Sequence, residues 1–412
     1  MSIHRTLAPF LLAFLAGAPS AHAKFHAPQF SITPLGSLLG PMGFSGPTAI
    51  SDGGGTPYVA GWSQVNSATD GIQRHAVVWH EGQTIDIGAH YGGDSIAIGI
   101  NRHGVVVGEA GSGLFVYTPG AAAPYFDLTG ALEAQLADLR IELIAVLGVT
   151  DDGRVTGSFQ YFNADINGYE RDLFTFSIPE GGDPRQGFAS FLPLTPTSWD
   201  WMATASNAAG WIAGGQRVAP GGPAWWFGWG QHDAGIPTTH DPLDFFDVTG
   251  LSLWGDISAT AYVDLGGGAQ QEQAFAHLVD STDPTAPAPW VRAPCWQANL
   301  IMGDDNCGAS AINRYEVMVG DSHSELGWGF DHTLHAVAYF GLRSTPVALR
   351  LDDLVPDPQN PFDHLKTAIA ISDSDLIVGK GVLRATGYEQ AYLLTPVSGS
   401  SPPYFWVDDQ PE

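Results

Sequence analysis

The sequence predicts an all-β protein, a seven-bladed β-propeller of four-stranded antiparallel blades whose ring is closed by an N-terminal strand. A short phrase recurs seven times at intervals of 45 to 61 residues, and its clearest copies are Gly99–Gly108 and Ala311–Gly320. Each copy holds two strand signals. A repeat of about 50 residues with several strands is typical of a propeller, whose blades must stack to bury their faces. One small polar residue marks each copy, and these seven markers are Ser51, Asn101, Thr150, Asn207, Ser252, Asn313 and Ser372.

The strands of a blade follow from the pattern within one repeat. In the last copy, Ala370–Ser372 predicts a first strand and Leu376–Gly379 a second, because small and β-branched residues favour strands. The polar residues between them predict a tight turn. In the first blade, Thr84–Gly88 predicts a fourth strand. A second, aromatic phrase predicts the third strands, and its copies are His75–Trp79, Asp172–Phe176, Gln273–Ala276, His335–Tyr339 and Gln390–Leu394.

Ring closure is predicted from the segment that precedes the first marker. Phe30–Gly36 has the pattern of a fourth strand without a blade of its own. We expect Ile32–Leu35 to pair with the strand around Tyr392, which would remove the exposed edges of an open array. An open solenoid shares the same stacking logic and stays as the alternative.

These phrases resemble the HAF-type extracellular repeat, whose pattern runs A-x-x-I-N-x-x-G-x-V-V-G and then H-A-F-x-W. The resemblance covers residues 30–395. It is most specific at Gly99–Gly108, at Ala311–Gly320 and at the two copies that begin with His75 and His335. The resemblance implies an exported bacterial repeat protein and no particular chemistry.

Composition limits the partners of the chain. Its 412 residues include 16 Lys and Arg against 43 Asp and Glu, a formal net charge of −27. So acidic a surface repels nucleic acid and anionic lipid. The apolar run at residues 7–18 is too short to span a membrane, so we expect no membrane insertion. No phosphate loop, dinucleotide fingerprint or zinc-protease motif is present, and we expect no cofactor and no metal site.

The predicted domain organisation has three parts. Residues 1–23 have the order of a secretory signal peptide, with Arg5, an apolar run and the small-residue triplet Ala21–Ala23. A buried N-terminal helix is the alternative. Residues 24–397 form the propeller, and residues 398–412 form a C-terminal tail. We therefore expect a secreted or periplasmic protein, and a monomer.

The two cysteines predict a disulfide. Cys295 and Cys307 are the whole complement of the chain, and an exported protein meets an oxidising compartment. We expect the bond to join the ends of a surface loop and to matter little to the core. Asp304, Asp305 and Asn306 lie inside that loop. They could hold Ca²⁺, although an Asp-rich turn is the simpler interpretation.

Long connections are predicted to gather at one end of the propeller. First-to-second and third-to-fourth turns are read as two to four residues long, and a short helix is expected within Leu128–Leu147. The second-to-third connections and the blade-to-blade connections vary most in length. In a four-stranded meander both kinds emerge on the same face, where function usually resides. The second-to-third connections are 61–74, 157–171 and 321–334; the blade-to-blade connections are 120–144, 180–202, 230–247, 279–308 and 342–367.

Candidate ligand-binding residues are polar and aromatic residues of these insertions that do not recur from blade to blade. They are Trp199, Trp201, His240, His323, Tyr161 and Tyr169. Aromatic rings on such loops stack on sugar faces, although buried loop anchors look the same in a sequence. His75 and His335 recur, so we expect them to be framework residues that bond to a neighbouring blade. The tight turns are expected to be functionally silent.

The sequence leaves three function classes open. The first is an exported binding or interaction module that presents its loop-rich face to a glycan or a surface partner. The second is a carbohydrate-active enzyme, a lyase or hydrolase, that uses His and Tyr on the same face. A structural or matrix protein is the third. Catalytic residues are not predicted, because no motif carries them.

Overall fold

The protein is built from seven antiparallel sheets that follow one another along the chain. The structure, a computed structural model, describes residues 27–51, 55–67, 71–111, 113–135, 140–164, 168–177, 188–192, 200–217, 224–229, 245–264, 270–279, 290–296, 304–323, 333–356, 358 and 360–397. The predicted signal peptide and the predicted C-terminal tail lie outside these residues. Within them, no helix is both long enough and apolar enough to cross a membrane.

The first three sheets each contain four strands in sequential order. Sheet 1 consists of β2 (Ser45–Ile50), β3 (Val59–Ser67), β4 (Gly71–His80) and β5 (Gln83–Asp86). Sheet 2 consists of β6 (Ser95–Ile100), β7 (Val106–Ala110), β8 (Gly113–Tyr117) and β9 (Tyr125–Asp127). Sheet 3 consists of β10 (Arg140–Val149), β11 (Arg154–Asn163), β12 (Gly168–Ser177) and β13 (Phe188–Leu192).

The next three sheets repeat this order, with one exception. Sheet 4 consists of β14 (Asp200–Ser206), β15 (Ile212–Arg217) and β16 (Ala224–Trp229). Sheet 5 consists of β17 (Phe245–Leu251), β18 (Ile257–Asp264), β19 (Gln270–His277) and β20 (Trp290–Arg292). Sheet 6 consists of β21 (Asn306–Ile312), β22 (Met318–His323), β23 (His335–Phe340) and β24 (Val347–Arg350).

Sheet 7 joins the two ends of the described chain. It consists of β25 (Phe362–Ile371), β26 (Ile377–Leu383), β27 (Glu389–Pro396) and β1 (Phe30–Pro34). The helices among the described residues are α1 (Leu128–Gln135) and three short 3-10 helices at Gly40–Met42, Gly88–His90 and Leu351–Leu354.

The prediction of an all-β propeller with four-stranded antiparallel blades is confirmed, but the count of seven such blades is wrong. The described residues form six four-stranded blades, and sheet 4 has three strands. Its repeat is one of the loosest in the sequence, and the residues that follow β16 lie outside the described part of the chain.

The predicted ring closure is confirmed. β1 pairs antiparallel with β27, so that Ile32 lies opposite Leu394 and Pro34 lies opposite Tyr392. The N–H of Leu35 extends the ladder by donating to the carbonyl of Ala391 at 2.9 Å. Because β1 comes from one end of the chain and β27 from the other, this pairing closes the ring.

The core lies between the sheets. Six clusters of buried apolar side chains occur among the described residues, and each is shared by two consecutive sheets. The cluster between sheets 7 and 1 contains Val378 and Ala391 from one side and Val59, Val77 and Trp79 from the other. A single blade could not bury both of its faces, so neighbouring blades stabilise one another.

The first strand of every sheet is innermost and carries a β-bulge at the same position. The bulge interrupts the pairing three residues before the marker, and a residue without a large side chain follows it. A Cβ added to Gly99 would meet the Cα of Gly148 in the next sheet at 2.8 Å. The inner strands therefore pack backbone against backbone. The bulged residues are Thr48, Ile98, Leu147, Thr204, Thr249, Ser310 and Ile369.

The meander gives the propeller two different faces. First-to-second turns and third-to-fourth connections emerge on one, which we call the turn face. Second-to-third and sheet-to-sheet connections emerge on the other, the loop face. The prediction that every third-to-fourth connection is short is wrong, since residues 178–187 separate β12 from β13 and residues 278–289 separate β19 from β20. The sequence pattern does not separate short fourth strands such as β20 from the longer insertions that contain them.

Two predicted insertions are more regular than expected. The described residues within 61–74 and 157–171 belong to the long paired strands of the hairpins β3–β4 and β11–β12. The predicted helix in Leu128–Leu147 is α1, which ends at Gln135. Its Leu128 and Leu132 are buried against sheets 2 and 3. Residues 140–147 of that segment belong to β10, because their Ile, Leu and Val residues supply the first strand of sheet 3.

Candidate functional site

The polar markers are structural residues, as predicted from their recurrence. The side-chain carbonyl of Asn101 accepts the backbone N–H groups of His103 and Val105, both at 3.0 Å. Its amide donates to the carbonyl of Thr150, the marker of the next sheet, at 2.9 Å. Asn207 and Asn313 make the equivalent bonds, to Ser252 at 2.7 Å and to Ser372 at 3.1 Å. Each marker Asn therefore stabilises its own turn and joins two sheets.

The recurring histidines are framework residues too, but not in the way expected. His75 contacts Asp86 at 3.0 Å through Nδ1, and Asp86 ends the fourth strand of the same sheet. The prediction of a bond to a neighbouring blade is therefore wrong for His75. Glutamine at the same position does reach the next sheet: Gln390 donates to the carbonyls of Gly40 and Gly43 at 2.8 and 3.0 Å.

Three of the predicted ligand-binding residues have described side chains, and these lie on two different sheets. Tyr161 and Tyr169 lie on the β11–β12 hairpin of sheet 3, where Tyr161 is half-buried and packs on the core and Tyr169 is exposed. His323 ends β22 in sheet 6. Trp199 and His240 lie outside the described residues, and Trp201 lies on β14 with its side chain outside what the structure describes.

The predicted disulfide is present. Cys295 and Cys307 are bonded, with their Cα atoms 5.3 Å apart. Cys307 is fully buried on the inner strand β21, in the cluster shared by sheets 5 and 6. The expectation that the bond matters little to the core is therefore wrong. It ties the connection between two blades to the interior of the second.

A pocket lies beside the disulfide, in the groove between sheets 5 and 6. Its volume is about 560 Å³, a size typical of small-molecule sites. The connection that leads from β20 to β21 forms much of its wall, which places it at the loop face. Its lining residues are Gln271, Gln273, Arg292, Ala293, Pro294, Cys295, Asp304, Asp305 and Pro346.

Planar polar groups are held rigidly at this pocket. Arg292 donates from Nε and Nη2 to the side-chain oxygen of Gln273, at 2.9 and 2.7 Å. Gln273 donates in turn to the carbonyl of Asp305 at 2.9 Å and contacts the sulfur of Cys295 at 3.4 Å. The guanidinium is exposed, so its remaining N–H groups can reach a ligand. The disulfide and the amide network therefore fix the orientation of one cation.

Asp304 is the titratable group of the pocket that its surroundings perturb. Burial raises the pKa of its carboxyl above the ordinary value, while a hydrogen bond from Ser322 and the nearby His323 and Arg350 act in the opposite direction. Its N–H donates to the carbonyl of Trp296 at 2.9 Å, and the Arg350 guanidinium lies 4.9 Å above the Trp296 ring. His323 is thus the predicted site residue that the structure brings to this region.

The calcium alternative gains no support from the geometry. The side-chain oxygen of Asn306 accepts the N–H of Glu272 at 2.8 Å, and its amide donates to Asp305 at 3.2 Å. These atoms therefore bond within the protein. Across the part of the chain that the structure describes, no group of three or more His, Cys, Asp or Glu side chains is placed to hold a metal ion.

Sequence reasoning missed Arg292 and placed Gln273 only at the start of a predicted third strand. Arg292 sits in a segment read as an undivided insertion, so its place at the end of a fourth strand was hidden. One signal was available. Lys and Arg number 16 in 412 residues, so a lone arginine two residues before Pro294-Cys295 stands out.

The stacked four-stranded sheets and the closed ring define a β-propeller with a polar pocket at the loop face. No protein-family model matches the chain, and neither does any curated protein. Several solved structures are similar, and two of them are β-propellers by name. The β-propeller domain of the Trilobed protease from Pyrococcus furiosus has a TM-score of 0.46 and 10% identity, over 87% of this chain and 100% of that one. The Dos1 propeller has a TM-score of 0.40 and 9% identity, over 90% and 95%. Such distant likeness carries no conclusion about function.

Proposed function

We propose that this chain is an exported seven-bladed binding module of the HAF-repeat type, secreted or periplasmic, which presents its loop face to a glycan. In this proposal sheet 4 is the seventh blade. All seven inner strands, that of sheet 4 included, carry the bulge and line one central cavity, which supports a ring of seven.

The pocket beside the disulfide is the observation that carries the proposal. Guanidinium, amide and carboxylate groups are planar and can each bond two neighbouring hydroxyls of a sugar ring. Arg292, Gln271 and Asp305 provide one of each kind within a single cavity. The Arg292 and Asp305 side chains are held by bonds to Gln273 and Asn306, so a ligand would bind them at a reduced entropic cost of ordering.

A carbohydrate-active enzyme remains the second candidate, because Asp304 has the property of a general acid. A carboxyl whose pKa is raised by burial keeps its proton at higher pH and can donate it to a leaving group. His323 and Arg350 lie close enough to act on that carboxyl electrostatically. Tyr161 and Tyr169, which the sequence suggests as catalytic residues of such an enzyme, lie on sheet 3 and not beside Asp304.

The test is binding of the purified mature protein to an array of neutral and uronate-containing glycans, with a product assay on the same glycans. We expect binding without product, and at least about tenfold weaker binding for Arg292→Ala. Arg154→Ala removes a partly exposed arginine from the turn face and should bind as the parent does. Product that Asp304→Asn abolishes would favour the enzyme instead. Absence of any glycan binding, or equal binding by both arginine variants, would refute the proposal.

A further inference from the structure

Arg292 differs from most of the described arginines, because no described carboxylate neutralises it. The chain has 43 Asp and Glu against 16 Lys and Arg, so an arginine readily finds an acidic partner. Arg102, Arg154 and Arg314, for example, lie 3.7, 2.9 and 3.9 Å from a carboxylate. Among the described residues, none lies at ion-pair distance from the Arg292 guanidinium, although two acidic residues line the same pocket. Its exposed charge is therefore available to an anionic group of a ligand.

The Arg292 guanidinium is held so that one particular edge is free. Its Nε and Nη2 atoms both donate to the side-chain oxygen of Gln273, at 2.9 and 2.7 Å. Gln273 is buried and is itself fixed, because it donates to the carbonyl of Asp305 at 2.9 Å. A guanidinium carries five N–H groups in a planar fork, so both N–H groups of Nη1 and the second of Nη2 remain. Two of these are parallel, on the edge that joins Nη1 to Nη2.

Two parallel N–H groups match the two oxygens of a carboxylate. Hydrogen bonds of this paired, charge-assisted kind are roughly twice as strong as those between neutral groups. A sugar hydroxyl can accept one of the N–H groups, but it leaves the positive charge uncompensated. Gln273 orders the guanidinium before a ligand arrives, which lowers the entropic cost of the contact. The free edge of Arg292 is thus a preformed site for a carboxylate.

The acidic residues of the pocket limit the ligand further. The Asp305 carboxylate accepts the amide of Asn306 at 3.2 Å, and Asp304 is partly buried and bonded by Ser322. Both are engaged within the protein and leave Arg292 unpaired, but they make the remainder of the pocket acidic. Such a pocket repels a polyanion, whereas hydroxyl groups can donate to its carboxylate oxygens. It therefore suits a ligand that carries one carboxylate and several hydroxyls.

We propose that the pocket beside the disulfide, in its proposed role as a glycan site, selects a single uronic acid residue. The sugar carboxylate binds the free edge of Arg292. The ring hydroxyls bond to Asp305 and Gln271, and the C–H groups of the ring pack on Pro294 and Pro346, which also line the pocket. The net charge of −27 opposes a run of adjacent uronates, so the selected residue lies among neutral sugars.

The experiment is calorimetric titration of the mature protein with glycosides that differ at one carbon. The probes are methyl α-galacturonoside, its methyl ester and methyl α-galactoside, and the corresponding glucuronoside set. We expect at least one acidic glycoside to saturate the protein, and its methyl ester and neutral parent to bind at least about tenfold more weakly. Arg292→Lys keeps the charge but loses the paired donors. It should weaken binding of the acidic glycoside by about tenfold and change that of the neutral parent by less than about threefold.

Arg74→Ala is the control, since it removes another exposed arginine of the loop face, and it should leave every affinity within about threefold. Thermal melts of both variants would show that each is folded. Saturation by neither acidic glycoside would overturn the proposal. So would equal affinity for acid and ester, or an equal effect of Arg292→Lys on the acid and the neutral parent. In those cases any binding on the glycan array still supports a glycan site, whereas absence of all glycan binding refutes the proposed function as well.

Discussion

At the scale of single residues, one position in the tight turn explains how the repeat tolerates variation. The third residue after the marker has a positive φ wherever it is described, which favours glycine. Gly104, Gly153, Gly210 and Gly255 meet this requirement at φ between +74° and +97°. Glu316 and Asp375 adopt the same conformation, at φ of +62° and +58°, and each forms a stabilising bond through its side chain. Glu316 bonds to Arg343 at 2.6 Å, and Asp375 accepts the amide of Asn313 at 2.8 Å.

Substitutions of Asn101 test how much a marker asparagine contributes to the stability of the protein. Asn101→Ala leaves two turn N–H groups without their acceptor and removes one of the two hydrogen bonds to the Thr150 carbonyl, which keeps that from Gly153. We therefore expect the free energy of unfolding to fall by about 2–4 kcal/mol. Asn101→Ser keeps an acceptor, as Ser252 and Ser372 do in their own turns, and should cost about 1 kcal/mol. Urea unfolding measures both. Equal losses of unfolding free energy for Asn101→Ala and Asn101→Ser would contradict the idea that Asn101 stabilises both its own turn and the contact with the next sheet. His103 is exposed, so His103→Ala is the control and should leave the free energy of unfolding unchanged.

Asp256 makes the stability depend on pH. Burial and the nearby Glu316 raise the pKa of its carboxyl from 3.8 to about 6, although it accepts bonds from Val279 and Ser252. Because the folded-state pKa lies above the unfolded-state value, its stabilising contribution is full below pH 3.8 and is lost as pH rises through 6. The loss is on the order of 3 kcal/mol.

Urea unfolding of Asp256→Asn across pH 4 to 7 tests this expectation. The stability of the parent should fall relative to that of the variant as pH rises over this interval. Asp152 should behave in the opposite way: burial raises its pKa, but bonds from Thr150 and Arg154 outweigh it, so the net pKa is lowered. In a separate series below pH 4, where an unperturbed Asp titrates, Asp152→Asn should therefore lose stability relative to the parent as pH rises. A pH-independent difference for Asp256→Asn would refute the assignment.

At the scale of elements, β1 is the strand on which ring closure depends. Phe30 is 2% exposed in the cluster shared by sheets 6 and 7, and five residue pairs join β1 to β27. Deleting residues 24–36 removes this burial and leaves β27 with an open edge. We expect the melting temperature to fall by on the order of 5–10 °C. Deleting residues 24–28, which spares the strand, is the control. Equal melting of the two truncated proteins would mean that β1 does not close the ring.

First and second strands were predictable because their turn chemistry recurs, with a polar marker and a residue of positive φ at fixed spacing. Fourth strands were not. They are short edge strands without a recurring phrase, as in β9, β20 and β24. One backbone edge of each pairs with no other described strand, so the pairing constrains their sequence less. This is why Arg292, at the end of β20, escaped notice while the cysteines three and fifteen positions on did not.

At the scale of the whole molecule, sequence patterns predicted the ring and the two faces but not the cavities. A repeat shows what the blades share, and a pocket is made where they differ and meet. The residues beside the disulfide come from sheets 5 and 6, and the wall of the central cavity comes from all seven sheets. No single repeat contains either surface. Even the bulge was invisible, because it is a register change between two strands and not a residue type.

The marker asparagines occupy sheets 2, 4 and 6, and serine or threonine occupies sheets 1, 3, 5 and 7. The amide bonds therefore join sheets in couples, 2 with 3, 4 with 5 and 6 with 7. An alternation of period two cannot run evenly around an odd ring, so one sheet must stand outside the couples. That sheet is sheet 1, where the chain closes, and there Gln390, Thr386 and the N–H of Ala391 bond across the seam to residues 40–45. The couple of sheets is thus the repeating unit of this ring. Gain or loss of a couple would preserve the alternation, with Ser372 of sheet 7 and Ser51 of sheet 1 as its one pair of like neighbours.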